Sequence, residues 1–282
     1  MPTGTCLCGE VRYRINGDVS FMHHCHCSMC RKSHGSAFAT LVNASSSDFQ
    51  WIGGQDKVVV YESSPGVHRA FCSTCGSVLP GTDSARSEVF VPAGALDDSL
   101  DARPEAHVFV ASKAPWYVIH DDLPRHDAYR SADAGPGIDG PERVAETEGA
   151  SAGSCLCGRV RFEFIDRPFA LVNCHCSRCR RGRGAAHASN LFIKPGQLRW
   201  LSGEDEVTVY DFPGAVRFGT NFCSTCGSCV PRFSASAGRV NVPMGSLDTD
   251  PGMSPTLHIF VGSKAPWFEI SDDLPQFEAE AT

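Results

Sequence analysis

The distribution of apolar residues along the chain predicts strands. Val11, Tyr13 and Ile15 alternate with arginines, and residues 160–164 repeat this alternation. A period of two places one face of a strand in the core. Further short runs rich in β-branched and aromatic residues lie at 38–42, 57–61, 89–91, 188–193, 206–210 and 240–242. Clusters of Gly, Pro, Asp or Ser separate these runs, and long helical periodicity is absent, so we predict a mainly β protein with small antiparallel sheets.

The apolar pattern occurs twice, which indicates an internal duplication. Residues 107–124 (HVFVASKAPWYVIHDDLP) return as residues 258–275 (HIFVGSKAPWFEISDDLP). We therefore predict two domains: a first repeat at residues 1–127 and a second repeat at residues 151–282. The intervening residues 128–150 are largely polar and rich in Gly and Pro, so they are predicted to form a flexible linker.

Composition narrows the possible chemistry. The chain has 282 residues with 42% hydrophobic content, which is enough for two packed cores. Its net charge of −7, from 25 basic and 32 acidic residues, argues against a nucleic-acid partner. The apolar runs are too short for a membrane helix, and the N-terminus does not resemble a signal peptide. We therefore expect a cytoplasmic protein without a membrane partner.

Each repeat contains seven cysteines in the same order. In the first repeat they are Cys6, Cys8, Cys25, Cys27, Cys30, Cys72 and Cys75. In the second repeat they are Cys155, Cys157, Cys174, Cys176, Cys179, Cys223 and Cys226. An odd number per repeat and a reducing cytosol favour metal binding over a disulfide scaffold. Because an all-cysteine zinc site takes four thiolates, seven cysteines divide into one closed site and a remainder of three.

One Cys-x-x-Cys-Gly motif and one Cys-x-Cys-Gly motif in each repeat predict the closed sites. The cysteines of a Cys-x-x-Cys turn converge, and the glycine permits the positive φ that a tight turn needs. A redox dithiol is the alternative, but neither the helix start nor the βαβ context of that motif is evident. The predicted structural four-cysteine sites are Cys6, Cys8, Cys72 and Cys75, and Cys155, Cys157, Cys223 and Cys226.

The remaining cysteines of each repeat form a Cys-His-Cys-x-x-Cys motif. Residues two apart in an extended segment project to the same side, and the next two residues can turn the chain to bring back the third cysteine. Three protein ligands with an open fourth position are typical of catalytic zinc. The predicted three-cysteine sites, to which we assign the catalytic role, are Cys25, Cys27 and Cys30, and Cys174, Cys176 and Cys179.

The histidines of these motifs, His26 and His175, leave an alternative open, because they could complete closed Cys₃His sites. Strand alternation argues against this, since the middle residue of Cys-x-Cys points to the other side. We expect both rings to hydrogen-bond the backbone or to line the pocket wall, and His26 is the nearest candidate for a general base. Cys229, which has no counterpart, is predicted to be a small buried apolar residue.

The order CxCG, CHCxxCR, CxxCG, SKAPW and DDLP resembles the glutathione-dependent formaldehyde-activating enzyme (GFA) family, also called the CENP-V/GFA domain family. The resemblance covers each repeat nearly end to end. It implies two tandem Mss4-like zinc-binding β domains, with structural zinc at the four-cysteine sites. It also implies a second zinc at each three-cysteine site, where the sulfur of glutathione is proposed to bind. The total would be about four zinc ions per chain.

The repeats differ after the Cys-His-Cys-x-x-Cys motif. Residues 31–38 (RKSHGSAF) are close to the family pattern, whereas residues 180–187 (RRGRGAAH) depart from it, so we expect different pockets. The tandem is expected to pack as a pseudo-dimer. The SKAPW boxes contain tryptophans that we predict to be packing anchors and lysines that remain candidates for carboxylate contacts; they are Trp116, Trp267, Lys113 and Lys264.

The leading functional hypothesis follows from the resemblance, which implies S-(hydroxymethyl)glutathione synthesis, a carbon–sulfur lyase reaction run in reverse. Its partners would be a small thiol, possibly glutathione, and formaldehyde or another small aldehyde. One alternative is a zinc lyase or hydrolase that acts on another adduct, such as an imine or thiohemiacetal, without glutathione. A non-catalytic zinc-stabilised binding module is the other alternative. Four thiolates also suit iron, but no redox partner motif favours it over zinc.

Overall fold

The computed structural model describes residues 1–97, 100–129 and 145–280. Across these described residues the fold is mainly β, with 39% of them in strands and two short α-helices, which confirms the predicted fold class. Most of the predicted linker, residues 130–144, lies outside the described residues. In the described part of the chain, none of the helices is both long and apolar enough to span a membrane.

The first repeat forms two sheets. Its elements are β1 (Thr3–Thr5), β2 (Arg12–Ile15), β3 (Ser20–Cys25), α1 (Ser28–His34), β4 (Ala39–Ser45), β5 (Phe49–Gly53), β6 (Val58–Ser64), β7 (Val67–Cys72), β8 (Val78–Asp83), β9 (Glu88–Pro92) and β10 (Ala106–Val108). One sheet has the order β1-β2-β5, and the other has the order β10-β3-β4-β9-β8-β7-β6. All pairings are antiparallel except that of β10 with β3.

The second repeat follows the same order with three sheets. Its elements are β11 (Ser151–Ser154), β12 (Arg161–Phe164), β13 (Ala170–Cys174), α2 (Ser177–Arg183), β14 (Ala188–Ile193), β15 (Leu198–Ser202), β16 (Val207–Asp211), β17 (Gly219–Cys223), β18 (Arg232–Ser234), β19 (Arg239–Pro243), β20 (Leu257–Ile259) and β21 (Gln276–Phe277). The sheets have the orders β11-β12-β15, β18-β19-β14-β13-β20-β21 and β16-β17.

The predicted alternation is visible in the burial of β2 but not in that of its counterpart β12, where Glu163 between Phe162 and Phe164 is also buried and is paired with Thr147 and Arg199. In β2, Tyr13 and Ile15 are fully buried, whereas Arg12 is exposed to solvent. Apolar residues of both repeats join in one core cluster, which includes Trp116 and Trp267. Both tryptophans are buried, as expected for packing anchors, and Cys229 is also buried.

The two repeats contact each other through matched polar pairs. Lys32 Nζ on α1 donates to Asp248 Oδ1 at 2.6 Å and to Ser154 Oγ at 2.9 Å. At the equivalent place on α2, Arg181 donates to Asp97 Oδ1 at 2.5 Å and to the Thr5 carbonyl at 2.9 Å. Each helix therefore contacts the first strand of the opposite repeat and an aspartate that follows a later strand of that repeat.

Two glycines allow the helices to approach the opposite repeat closely. A Cβ on Gly94 would lie 2.3 Å from the Ala185 carbonyl oxygen, and a Cβ on Gly245 would lie 2.3 Å from the Arg31 carbonyl oxygen. Such distances are far inside van der Waals contact, and the obstacle is backbone. Only glycine fits these positions without moving the helices.

Candidate metal centres and the adjoining cavity

Each four-cysteine site is assembled from two turns that are distant in sequence. The four sulfur atoms of each site all lie within 4.8 Å of one another. In the first repeat, Cys6 Sγ lies 3.3 Å from Cys8 Sγ, and Cys8 Sγ lies 3.8 Å from Cys72 Sγ. The corresponding distances in the second repeat are 3.4 Å and 3.7 Å. The structure thus brings together the two motifs that the sequence paired.

The local backbone at these sites fits a thiolate-bound cation. The backbone N–H of Val11 donates to Cys6 Sγ at 3.3 Å, and that of Val160 donates to Cys155 Sγ at 3.3 Å. Such bonds stabilise the negative sulfur that a metal requires. Four cysteine sulfurs gathered in this way match a tetrahedral zinc or iron site, and their surroundings do not distinguish the two metals.

A tyrosine from the opposite repeat packs at each four-cysteine site. Tyr210 of the second repeat packs against the cluster that contains Cys6, Cys72 and Cys75. Tyr61 of the first repeat packs in the same way against the cluster of the second repeat. Each predicted structural site is therefore covered by the other half of the molecule.

The three-cysteine sites lie where a strand passes into a helix. Cys25 ends β3, and Cys27 is the N-cap of α1, whose Sγ accepts a hydrogen bond from the Cys30 backbone N–H at 3.3 Å. Cys174 and Cys176 occupy the same positions at α2. In each triplet, the three sulfur atoms lie within 4.8 Å of one another. The first turn of the helix returns the third cysteine to the first two, at the two residues that were expected to turn the chain.

In each triplet, the other two cysteines lower the pKa of one thiol below its ordinary value. Side-chain hydrogen bonds from Cys174 and Cys179 lower the pKa of Cys176 to about 3. In the first repeat, hydrogen bonds from Cys25 and Cys27 lower the pKa of Cys30 well below its ordinary value. Three converging sulfurs with a thiolate among them fit a soft or borderline cation such as zinc, with room in a tetrahedral shell for one more ligand.

The histidines between the cysteines belong to a separate chain of polar contacts. His26 Nε2 lies 2.8 Å from His107 Nδ1, and His107 Nε2 lies 2.9 Å from Asp121 Oδ1. The second repeat repeats this chain at His175, His258 and Asp272, with distances of 2.8 Å and 3.0 Å. The partner of each ring is thus a histidine side chain and not the backbone, which corrects that expectation. Among the residues that the structure describes, the ligand-atom groups at the triplets contain only the cysteines.

Burial keeps these histidines neutral. It lowers the pKa of His175 to about 2 and that of His26 well below its ordinary value. His26 Nδ1 is buried without a hydrogen-bond partner, so the ring has one unpaired nitrogen. The roles of His107 and Asp121 were missed in the sequence. Both belong to the segment that matches almost residue for residue between the repeats, and that match was the available signal.

The lysines of the SKAPW boxes fold back onto their own loops. Lys113 Nζ donates to the carbonyl oxygens of Ala114 and Tyr117, and Lys264 Nζ donates to the carbonyl oxygen of Phe268. Burial lowers the pKa of Lys113. In this arrangement both ammonium groups hold the loop in place, and a carboxylate contact would require them to leave these carbonyls.

A cavity of about 850 Å³ adjoins the three-cysteine site of the second repeat. Besides Cys174, Cys176 and Cys179, five arginines, two asparagines and three phenylalanines line it, namely Arg178, Arg183, Arg217, Arg232, Arg239, Asn190, Asn241, Phe192, Phe218 and Phe260. Arg239 Cζ lies 4.2 Å from the centroid of the Phe192 ring, and Arg217 Nη1 lies 3.5 Å from Glu280 Oε1. The cavity therefore combines positive charge with aromatic surface beside the sulfur atoms.

Two polar atoms in the cavity wall lack a protein partner. They are Asn241 Oδ1 and Arg232 Nε, both buried. Buried polar atoms are normally hydrogen-bonded, so an unpaired donor and an unpaired acceptor in the same wall indicate a polar occupant. A molecule with both donors and acceptors, or water, would satisfy them.

The family model for the glutathione-dependent formaldehyde-activating enzyme matches residues 1–112 and again residues 150–263. The chain belongs to this family and carries two copies of its domain. A protein of Halomonas elongata with the provisional name glutathione-dependent formaldehyde-activating enzyme is 32% identical over 125 residues, which cover 41% of this chain and 79% of the relative.

Two fungal proteins, from Aspergillus flavus and Aspergillus oryzae, have the same provisional name. Each is 30% identical over 94 residues, which cover 33% of this chain and 47% of the relative. The chain thus spans about half the length of these fungal relatives. Among solved structures, a Rhodobacter sphaeroides protein aligns with a TM-score of 0.31 and 24% identity, over 35% of this chain and 91% of its own.

Proposed function

We propose that this protein is a zinc-dependent enzyme of the carbon–sulfur lyase type that joins a thiol, such as glutathione, to formaldehyde or another small aldehyde. Family membership and the names of the relatives support formaldehyde activation in general. The observation that carries the proposal is the opening of a three-cysteine site into a cavity lined by arginine and asparagine. The proposal includes zinc at all four cysteine groups, or about four ions per chain.

In this proposal, the cysteine triplets hold the catalytic metal. A zinc ion bound there would supply one further coordination position and would favour deprotonation of a thiol. The arginines and asparagines of the cavity bind and orient the carboxylate and amide groups of the thiol compound. In the net reaction, a sulfur–carbon bond forms, and the thiol proton ends on the former carbonyl oxygen.

The proposed pseudo-dimer explains why the tandem is one unit. The pair Lys32–Asp248 and the pair Arg181–Asp97 join equivalent positions of the two repeats. Each four-cysteine site is also covered by a tyrosine of the opposite repeat. These contacts support a molecule in which neither repeat is complete without the other, in the cytoplasm as the sequence suggests.

The test is the rate of adduct formation in a mixture of formaldehyde and glutathione, followed by NMR exchange spectroscopy. The adduct forms without an enzyme, so the measured quantity is acceleration above the spontaneous rate. Zinc-loaded protein should accelerate the exchange, and the double variant Cys27→Ser/Cys176→Ser should not. The double variant removes one sulfur from each triplet, so the result does not depend on which repeat is active.

An alternative substrate is supported by the departure of the second repeat from the family pattern. Arg183, at the position of His34 in the first repeat, lines the cavity and donates to Asn190 Oδ1 at 3.4 Å. If zinc-loaded protein does not accelerate the glutathione reaction, a lyase or hydrolase acting on an imine or another thiohemiacetal becomes the better proposal. If no such adduct is turned over, a zinc-stabilised binding module remains.

A further inference from the structure

The two triplets have the same ligands but different neighbours. Strand pairing shows which residues are equivalent: Arg69 lies opposite Tyr61 in the β6–β7 pair, and Thr220 lies opposite Tyr210 in the β16–β17 pair. Arg69 of the first repeat thus corresponds to Thr220 of the second. This difference replaces a long cation by a short hydroxyl on the strand that passes the triplet.

In the first repeat, Arg69 contacts the triplet directly. Its Nη2 donates to Cys30 Sγ at 3.5 Å, and its Nε donates to Ser63 Oγ at 3.2 Å, which fixes the guanidinium beside the sulfur. Phe21, Phe90 and Tyr129 pack against the same cluster of cysteines. The cysteines Cys25, Cys27 and Cys30 are only 4%, 5% and 3% exposed.

In the second repeat, the same positions leave the triplet accessible. The Thr220 hydroxyl donates to the Cys75 carbonyl of the opposite repeat at 2.7 Å, so it is engaged there. Asn43 and Phe90, paired across β4 and β9, correspond to Phe192 and Asn241, paired across β14 and β19. An amide thus takes the position of Phe90, and the ring lies on the neighbouring strand, where both residues line the cavity. Cys176 and Cys179 are partly exposed and line the cavity.

We propose that Arg69 closes the three-cysteine site of the first repeat to external ligands, so that only the second repeat accepts a substrate thiol. Three thiolates around a dication leave a net charge of about −1, which the neighbouring guanidinium neutralises. The hydrogen bond to Cys30 Sγ holds the guanidinium beside the metal site, and the aromatic side chains pack against the same cysteines. The first triplet then holds zinc without binding substrate, and the chain has one active centre.

This inference rests on the proposed function only in taking the triplets as zinc sites. It can be tested without catalysis, because a chelator removes zinc fastest where it can first occupy a free coordination position. The probe is pyridylazoresorcinol, a chromogenic zinc chelator, added to zinc-loaded protein. We expect one zinc ion per chain to leave in a fast phase, and Cys176→Ser rather than Cys27→Ser to abolish that phase.

A reciprocal exchange of the equivalent residues sharpens the test. Arg69→Thr should raise the fast phase from one ion per chain to two, and Thr220→Arg should lower it from one to none. Thr220→Val is the matched control, because it loses the hydrogen bond to Cys75 without adding a cation, and it should keep one fast ion. If Arg69→Thr fails to fold, the pair Thr220→Arg and Thr220→Val still decides the matter.

Two results would overturn the inference. One is a wild-type protein that releases two ions equally fast and loses one of them in each single cysteine variant. The other is a Thr220→Arg variant that keeps its fast ion. Failure of the proposed function has a different signature, because an inactive protein can still show one fast ion that Thr220→Arg protects.

Discussion

A comparison of the two three-cysteine sites shows that different parts of the chain provide the metal ligands and the pocket walls. Both triplets use the same strand-to-helix turn, with Cys27 or Cys176 as the helix N-cap. The side chains of the pocket walls come from strands that are distant in sequence. At one equivalent wall position the first repeat has Arg69 and the second has Thr220. After a duplication, the local motif can persist while the walls diverge, and a closed site and an open one result.

The four-cysteine sites do not show this divergence. Their sulfur distances agree within 0.1 Å between the repeats, and both are covered by a tyrosine of the other half. A site whose role is to hold the fold must keep its surroundings as well as its ligands. The contrast predicts that cysteine substitutions in the two kinds of site have different consequences.

The largest effect is expected for loss of a four-cysteine ligand. Cys75→Ser and Cys226→Ser should each abolish cooperative folding of the whole chain, because structural zinc contributes about 10 kcal/mol, comparable with the total stability of a domain. Zinc content and thermal unfolding followed by circular dichroism measure this. Cys229→Ala is the control, a buried cysteine outside the metal groups, and should cost about 1 kcal/mol.

The comparison of four-cysteine and three-cysteine sites would fail if these variants melted like the wild type. Cys27→Ser gives the complementary measurement within the same repeat. It should lower the zinc content by one ion but leave cooperative unfolding in place, because the four-cysteine sites stabilise the shared core. Loss of folding in Cys27→Ser would instead show that the triplet is as important for stability as the four-cysteine site.

The sequence predicted the four groups of cysteines because cysteine spacing within each motif is a local property. Alternation in β2 likewise predicted a buried face, since the period of a strand is visible in a few residues. The walls of the triplets were not predictable, because Arg69 is 39 residues from Cys30 and only sheet register brings them together. The partner of His26 was missed for the same reason, as His107 is 81 residues away on a parallel neighbouring strand.

The contacts between the repeats could not be predicted from the sequence either. Lys32 and Arg181 both belong to basic segments that follow a cysteine motif, and such segments are usually solvated. The structure shows instead that Lys32 is buried against Asp248 of the other repeat. Sequence identity between the repeats predicts a duplication, but it does not specify which surface each copy presents to the other.

The next largest effect is expected from these matched ion pairs. The side chains of Lys32 and Asp248 are 9% and 6% exposed, whereas those of Arg181 and Asp97 are 29% and 31% exposed. Lys32→Met should cost about 3–5 kcal/mol in the free energy of unfolding, because it leaves a buried carboxylate unpaired. Arg181→Met should cost at most about 1 kcal/mol, because water can solvate the remaining aspartate.

Urea denaturation at neutral pH measures both losses. The double variant Lys32→Met/Asp248→Leu is the control, since replacing a whole buried pair by apolar residues recovers most of the stability lost on breaking it. Equal losses in Lys32→Met and Arg181→Met would contradict the inequality of the two pairs. A double variant no more stable than Lys32→Met would show that the bonds from Lys32 to Ser154 matter more than the charge.

The smallest expected effect concerns Phe38 and His187, equivalent residues that face each other with ring centroids 5.5 Å apart. Burial lowers the pKa of His187 to about 3. An unfolded histidine has a pKa of about 6.5, so below this pH the unfolded state takes up a proton that the folded state refuses. Stability is therefore lost as the pH falls from about 6.5 towards 3, by about 2 kcal/mol at pH 5.

His187→Phe gives the second repeat the aromatic residue of the first and should remove this part of the acid sensitivity. The measurement is the difference in unfolding free energy between pH 7 and pH 5, which should shrink by about 2 kcal/mol in the variant. Metal loss at low pH affects both proteins and cancels in the comparison. Phe38→His should enlarge the difference between pH 7 and pH 5. An unchanged difference in His187→Phe would mean that His187 becomes protonated within the folded protein.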